Sequence, residues 1–319
     1  MLLMKKGLIV RTTGSWFTVE DENGELFDCK VKGNFRIKGI RSTNPVAVGD
    51  KVNFMVQNDT KISGKRKTGW IYSIKDRKNY IIRRSPNLSK QSHIIAANID
   101  QAILLATIIE PVTTTLFIDR YLASAEAYNV PVLLVFNKTD LYGPEETTIM
   151  KNLILIYSKI GYRCLTTSAE TGEGIEDLEN ELKDKISVIN GHSGVGKSTL
   201  INLIQPELNL RTSEISEYHK TGKHTTAFSE MYKLSTGGYI IDTPGIKGFG
   251  MLDMEAWEIT HYFPEIFKLS KNCLYNNCSH THEPDCAVKE ALENKEISVS
   301  RYVSYLNLLE EDEKYRKPH

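Results

Sequence analysis

The amino-acid sequence predicts an α/β domain set between a small all-β barrel and an acidic, α-helical C-terminal module. Three observations carry that prediction. Short strand-like runs separated by turn residues fill positions 1–75, buried-strand runs alternate with helical patterns over 76–250, and a cysteine–histidine cluster lies within 251–319. A chain of 319 residues is long enough for two or three such domains.

The barrel strands are Gly7-Leu8-Ile9-Val10, Trp16-Phe17-Thr18-Val19, Leu26 to Val31, Lys51 to Val56 and Gly69 to Ile74. Turn residues such as Asp21-Glu22-Asn23-Gly24 separate them, which suits a barrel of the OB type. Trp16, Phe17, Phe27, Phe35, Phe54, Trp70 and Tyr72 are interspersed with Lys30, Lys32, Arg36, Lys38 and Arg41, and Lys61 to Lys67 is a basic loop. Such mixtures bind single-stranded or irregular RNA, although a barrel needs most of its aromatics for its own core. The chain has zero formal net charge, yet residues 1–93 carry 19 Lys and Arg against 8 Asp and Glu, leaving 21 against 32 for the rest. A basic front on an acidic remainder favours an anionic partner, nucleic acid foremost.

Residues 76 to about 98, with Arg77, Lys78, Arg83, Arg84 and Pro86, read as a connector. From Ile99 the pattern changes. Gln101 to Ile109 is a continuous apolar strand, Ile118 to Ala127 has helical spacing, and Val130 to Phe136 is a second buried strand. Alternation of this kind builds a mostly parallel sheet covered on both faces, whose ligands bind at the carboxyl ends of the strands.

Asn137-Lys138-Thr139-Asp140 stands at such an end. A carboxylate there can accept hydrogen bonds from the N1–H and exocyclic amine of guanine, an edge that adenine does not offer. A charged turn after a strand needs no ligand; the buried strand before this one and a phosphate loop later in the chain favour guanine. Cys164 to Thr167 reads as a short strand ending in Ser168-Ala169, where a backbone N–H can meet the guanine carbonyl. Ile175 to Lys185 follows as an amphipathic helix.

Gly191-His192-Ser193-Gly194-Val195-Gly196-Lys197-Ser198 then meets G-x-x-x-x-G-K-[ST] at every required position. The apolar run Ile186 to Ile189 enters it and a helical run from Thr199 to Ile204 leaves it. Glycines let the backbone curl its N–H groups toward phosphate oxygens, Lys197 reaches the β and γ phosphates, and the Ser198 hydroxyl binds Mg²⁺. With Asp140 choosing the base, the expected ligand is GTP or GDP. An ATP-using kinase or motor would share the loop, but Asp140 argues against it.

Glu217 to Thr226 is polar and without apolar periodicity, so a mobile loop is expected there. Thr225 or Thr226 could complete Mg²⁺ coordination when the γ-phosphate is present. The strand Tyr239-Ile240-Ile241 leads to Asp242-Thr243-Pro244-Gly245, where Asp242 can hold Mg²⁺ through water and the Gly245 N–H can sense the γ-phosphate. Because the guanine-reading strings precede the phosphate loop, the predicted domain is a circularly permuted P-loop GTPase domain.

Near the C-terminus Cys273, Cys278, His280 and Cys286 give C-x₄-C-x-H-x₅-C, a set able to close one tetrahedral, structural Zn²⁺ site, with His282 as a rival to His280. Arg301 to Glu310, with Tyr302, Tyr305, Leu306 and Leu309, reads as an amphipathic helix packed on this module.

The combination resembles the ribosome small subunit-dependent GTPase family, RsgA, over nearly the whole chain. The residues that carry the resemblance are Asp119-Arg120-Tyr121-Leu122, Asn137 to Asp140, Gly191 to Ser198, His224-Thr225-Thr226, Asp242 to Gly245, and Glu283-Pro284-x-Cys286-Ala287-Val288. The resemblance implies a GTP hydrolase that acts late in maturation of the small ribosomal subunit and is stimulated by it, with that subunit and its rRNA as partners. Ala227 departs from the usual third threonine and leaves Thr225 and Thr226 both open as the Mg²⁺ ligand.

Ile246 stands where a Ras-like enzyme carries its water-orienting glutamine, so His224 is the expected water-positioning group beside Lys197 and Asp242. Steadying the loop is the other role an imidazole there would serve. No signal peptide or membrane span is evident, and five cysteines without an even framework suit a reducing cytoplasm. A cytoplasmic monomer is expected. From another class, an RNA-binding scaffold would hold GTP with negligible turnover.

Overall fold

The structure is a computed structural model in which residues 4–32, 46–57, 66–84, 92–209, 230–242 and 256–316 are described. Five strands, β1 (Met4–Thr13), β2 (Trp16–Asp21), β3 (Leu26–Val31), β4 (Lys51–Val56) and β5 (Lys67–Ile74), close the predicted barrel. β3 runs parallel to β5, the other pairs are antiparallel, and β4 returns to β1 to complete the circuit. Alternation directs Ile9, Phe17, Val19, Phe27, Cys29, Val52, Phe54 and Ile71 into one core. Trp16 instead remains 39% exposed with the Lys30 ammonium 4.4 Å from its ring centroid, and Lys32 lies 4.7 Å over Tyr72. Phe35, Arg36, Lys38, Arg41 and residues 61–65 lie outside the described residues.

The stretch read as a connector folds as a hairpin, β6 (Tyr80–Arg84) with β7 (Ser92–Ala97). Its apolar alternation is used, since Ile81, Ile94 and Ala96 are buried. Asn79 clips the base by exchanging two hydrogen bonds of 2.8 Å with the Ile99 backbone. Arg77, which looked like connector charge, makes a bidentate pair with the buried Asp50 at 2.6 and 2.7 Å.

The remaining elements alternate as expected: β8 (Gln101–Ala106), α1 (Thr115–Ala127), β9 (Val132–Asn137), α2 (Pro144–Ile160), β10 (Arg163–Thr167), α3 (Ile175–Leu182), β11 (Ile186–Asn190), α4 (Lys197–Ile204), β12 (Glu230–Lys233) and β13 (Tyr239–Asp242). Helices α5 (Ala256–Ile259), α6 (Pro264–Ser270), α7 (Ala287–Glu293) and α8 (Val299–Arg316) complete the chain. The sequence pattern does not mark α2, because only Met150 and Tyr157 of its residues are buried. Local signals set its ends: Pro144 opens it, the Glu146 carboxylate accepts the Gly143 N–H at 2.9 Å, and Gly161 closes it at φ +118°.

The chain forms two compact units. In the unit of Met1–Ala102, Glu176–Ile189 and Ser198–Gly250, β11 lies parallel to β13, β12 lies antiparallel to β13, and β12 pairs with β1 at Arg11 and Glu230. The barrel and the strand ending at Asp242 therefore belong to one hydrogen-bonded ladder. Glu20 on β2 reinforces it by accepting from the Tyr239 hydroxyl at 2.9 Å and pairing with Lys233.

In the unit of Ile103–Ile175, Asn190–Lys197 and Met251–His319, the strand order is β10-β9-β8, with β9 and β10 parallel. Here the C-terminal helices pack on α1, and Ala123 shares a buried cluster with Ile259, Phe263, Ile266, Val288, Ala291 and Tyr305. The buried stripe of α8 is Arg301, Ser304, Tyr305 and Leu308, one position away from the stripe read in the sequence. Among the described residues no helix is long and apolar enough to cross a membrane.

Candidate nucleotide site and metal centre

The strand β9 buries every residue from Val132 to Phe136 and delivers Asn137, 1% exposed, at its carboxyl end. Asn137 Nδ2 donates to the Val195 carbonyl at 2.8 Å, and its Oδ1 accepts from the Thr167 hydroxyl at 2.9 Å. Thr167 is the register partner of Asn137 across β9 and β10, so the sheet itself sets that contact. Two strings separated by 58 positions in the chain thus meet through one amide. Thr167 is a residue that the sequence reading passed over; its only signal was a hydroxyl next to Ser168 at a strand end.

Lys138 adopts φ +66° and its ammonium donates to the Glu110 carbonyl. Asp140 is exposed, and one of its oxygens accepts from the buried Ser168 hydroxyl at 2.5 Å. The Ser168 oxygen also takes the Thr171 N–H at 3.1 Å, and Ser168 N donates to the Glu173 carbonyl at 3.0 Å. The loop that carries Ser168 and Ala169 is therefore closed on itself, next to a carboxylate turned to solvent. That pair of features can accept donors from one edge of a purine and offer a donor to its carbonyl.

The phosphate loop has the backbone its glycines promise. Gly196 sits at φ +97°, and a Cβ there would lie 2.4 Å from Asn137 Nδ2. A Cβ on Gly191 would lie 2.6 Å from the Leu105 carbonyl oxygen. Glycine is required at both positions for the loop to approach its neighbours this closely. Lys197 folds over the loop, donating to the carbonyls of Gly191 at 2.8 Å and His192 at 2.7 Å. Burial lowers its pKa, which strengthens the demand for an anion beside it. Ser198 is buried in the first turn of α4, and Thr199 beside it is exposed. His192 and Ser193 fill the loop's variable positions, and the His192 ring packs tilted on that of Phe117 on α1, with centroids 3.9 Å apart.

Asp242 ends β13, opposite Glu230 in register, so its backbone position is as expected while its side chain is not described. His224, Thr225, Thr226 and Gly245 lie outside the described residues.

Cys273, Cys278, His280 and Cys286 bring their ligand atoms within 4.8 Å of one another. Cys273 Sγ is 3.9 Å from Cys286 Sγ and 3.6 Å from His280 Nδ1, which is 3.4 Å from Cys286 Sγ. Tetrahedral Zn²⁺ requires S···S of about 3.8 Å and S···N of about 3.5 Å, from bonds of about 2.3 and 2.0 Å, so the donor set fits. Four protein ligands leave no open position, and the zinc is structural. His282, the rival ligand, is exposed and its ring nitrogen contacts the Thr281 hydroxyl at 2.8 Å. Tyr302 and Tyr305 donate to the carbonyls of His280 at 2.6 Å and Ser279 at 3.0 Å, which ties the metal loop to α8. Metal analysis is expected to find roughly one zinc per chain, falling to near zero in Cys286→Ala, with the loss of helix confined to the C-terminal region.

Comparison with known proteins agrees with this geometry. The model for the RsgA GTPase matches residues 74–252, and that for the RsgA N-terminal domain matches residues 6–62. The small ribosomal subunit biogenesis GTPase RsgA of Bacteroides fragilis is 58% identical over 98% of this chain and 99% of its own. The protein of the same name from Flavobacterium psychrophilum is 54% identical over 97% of this chain and 94% of its own. Among solved structures, YjeQ from Thermotoga maritima superposes with a TM-score of 0.78 at 37% identity, covering 99% of this chain and all of that one. YloQ, described as a circularly permuted GTPase, gives 0.76 at 30% identity over 99% and 97%.

Proposed function

This chain belongs to the RsgA GTPase family and is a GTP-hydrolysing enzyme, and from that premise we propose that it acts in maturation of the small ribosomal subunit, with hydrolysis timing its release. The observation that carries the reading is the hydrogen bond of Asn137 to Val195, which sets the guanine-reading string against the phosphate loop.

In this reading Asp140 accepts from the guanine edge, Ser168 holds that carboxylate, and the Ala169 N–H meets the guanine carbonyl. The N–H groups of Gly191 to Lys197 cradle the phosphates, joined by Thr199 at the start of α4. Lys197 moves its ammonium from the loop carbonyls to the β and γ oxygens, where charge develops on hydrolysis. Ser198 and Asp242, with Thr225 or Thr226, hold Mg²⁺, which neutralises phosphate charge when bound. Gly245 senses the γ-phosphate and His224 positions the attacking water.

The relatives' shared name, small ribosomal subunit biogenesis GTPase, supports that subunit as partner. The Trp16–Lys30 and Tyr72–Lys32 pairs, in which Trp16 and Lys32 are exposed, suit contact of the barrel with rRNA. We assign three working modules, 1–75, 76–250 and 251–319, in a cytoplasmic monomer. GTP turnover alone should be slow, on the order of 10⁻⁴ to 10⁻² s⁻¹, and rise strongly with small but not large ribosomal subunits. Equal rates with both subunits would remove the ribosomal assignment. Full stimulated turnover in His224→Ala would remove only the water-positioning role.

A further inference from the structure

Two residues beyond Asp140, Tyr142 is half-buried after the short turn Thr139–Leu141. Its hydroxyl donates to the Asn137 carbonyl at 2.6 Å and accepts from the Ile108 N–H at 2.9 Å. One phenol therefore joins the end of β9 to the loop that leaves β8. That loop is closed on itself, since the Thr113 hydroxyl accepts the Thr107 N–H at 3.1 Å and the Thr107 hydroxyl donates to the Pro111 carbonyl. One hydrogen bond carries it to the nucleotide site, from Lys138 to the Glu110 carbonyl, and Pro111 borders Gly194, its Cδ 3.7 Å from where a Cβ would stand.

We propose that Tyr142 is a positioning residue for guanine recognition, holding Asn137 and Lys138 in register with the phosphate loop through the loop Thr107–Thr113. The proposal rests on the assignment of Asn137 to Asp140 as the guanine reader. Asn137 is held through its side chain by Val195 and Thr167 and through its carbonyl by Tyr142. Removing the phenol oxygen leaves the Asn137 carbonyl and the Ile108 N–H, both of buried residues, without that partner. The strand end then shifts, and Asp140, three residues on, loses alignment with the base edge. Phosphates are held by main-chain N–H groups of another loop and are affected less. An ordinary turn brace would weaken every nucleotide alike.

The test is Tyr142→Phe in the full chain, with dissociation constants for GDP, for IDP, which lacks the exocyclic amine, and for ADP, and with intrinsic turnover at saturating GTP. GDP binding should weaken roughly 5- to 30-fold and the GDP-to-IDP preference should fall at least about threefold, with saturated turnover within about twofold of the parent. An unchanged GDP-to-IDP ratio, whether or not both weaken, overturns the positioning role. If the parent protein itself does not prefer GDP over ADP, the guanine assignment fails first, and that outcome is read without the variant.

Discussion

Exchanging Asp140 for Asn is expected to lower GTP affinity by about 10²- to 10⁴-fold and to turn the preference toward xanthosine triphosphate. The carboxylate would accept two charge-assisted hydrogen bonds from guanine, each worth about 1.5–3 kcal/mol, and an amide can replace only part of that pair. Its NH₂ group faces the donors of guanine but matches the oxygen that xanthine carries in place of the exocyclic amine. The Ser168 hydroxyl, 2.5 Å from Asp140, can still donate to the amide oxygen and keep the side chain in place. Competition of GTP, XTP and ATP for the purified variant measures the effect. A uniform loss for all three would mean that Asp140 braces the loop and does not read the base.

How much of this site could be read beforehand depended on whether the chemistry was local. The phosphate loop and the string ending at Asp140 are contiguous residues with required identities, and both stood out. Both were expected just beyond the carboxyl ends of buried strands, where the ligands of such sheets bind. Thr167, Tyr142 and Phe117 did not stand out, because their roles depend on which strand lies beside β9 and which loop faces the phosphates. The hairpin β6–β7 was hidden by the basic residues along it, although Ile81 and Ile94 are buried. In α8 the polar identity of Arg301 masked its burial, since an arginine at 0% exposure is legible only once its partners are known. The zinc ligands were the opposite case: tight spacing of soft donors leaves few alternatives, and only His280 against His282 needed the structure.

Arg301→Met is expected to destabilise the protein by about 3–5 kcal/mol, by leaving the buried Asp119 and the half-buried Glu265 without their cation. Arg301 pairs with Asp119 at 2.9 Å and, in bidentate fashion, with Glu265 at 2.6 and 3.1 Å, over the ring of Phe263. Burial raises the Asp119 carboxyl above its ordinary range against the lowering by Arg301, with a further hydrogen bond from Tyr157 at 2.9 Å. Burial also disfavours the Arg301 charge, but the two carboxylates outweigh it and hold the guanidinium ionised. Without the arginine, the Asp119 pKa in the folded state rises further above its unfolded value. The deficit is then smallest at pH below the unfolded carboxyl range and grows as pH rises through the folded value. Chemical denaturation of Arg301→Met at pH 5 and pH 8 tests this, and Asp119→Asn added to that variant should recover part of the loss. The consequence reaches the nucleotide through α1. Residues 117 and 121 share the helix face opposite Asp119; Phe117 packs against the His192 ring, and the Tyr121 hydroxyl accepts from Asn190, which precedes Gly191, at 3.0 Å. A helix anchored by the C-terminal module on one face thus supports the phosphate loop on the other. Arg301→Met should therefore weaken GDP binding as well as stability, whereas a stability loss with unchanged GDP affinity would confine the ion pair to the packing of the C-terminal helices.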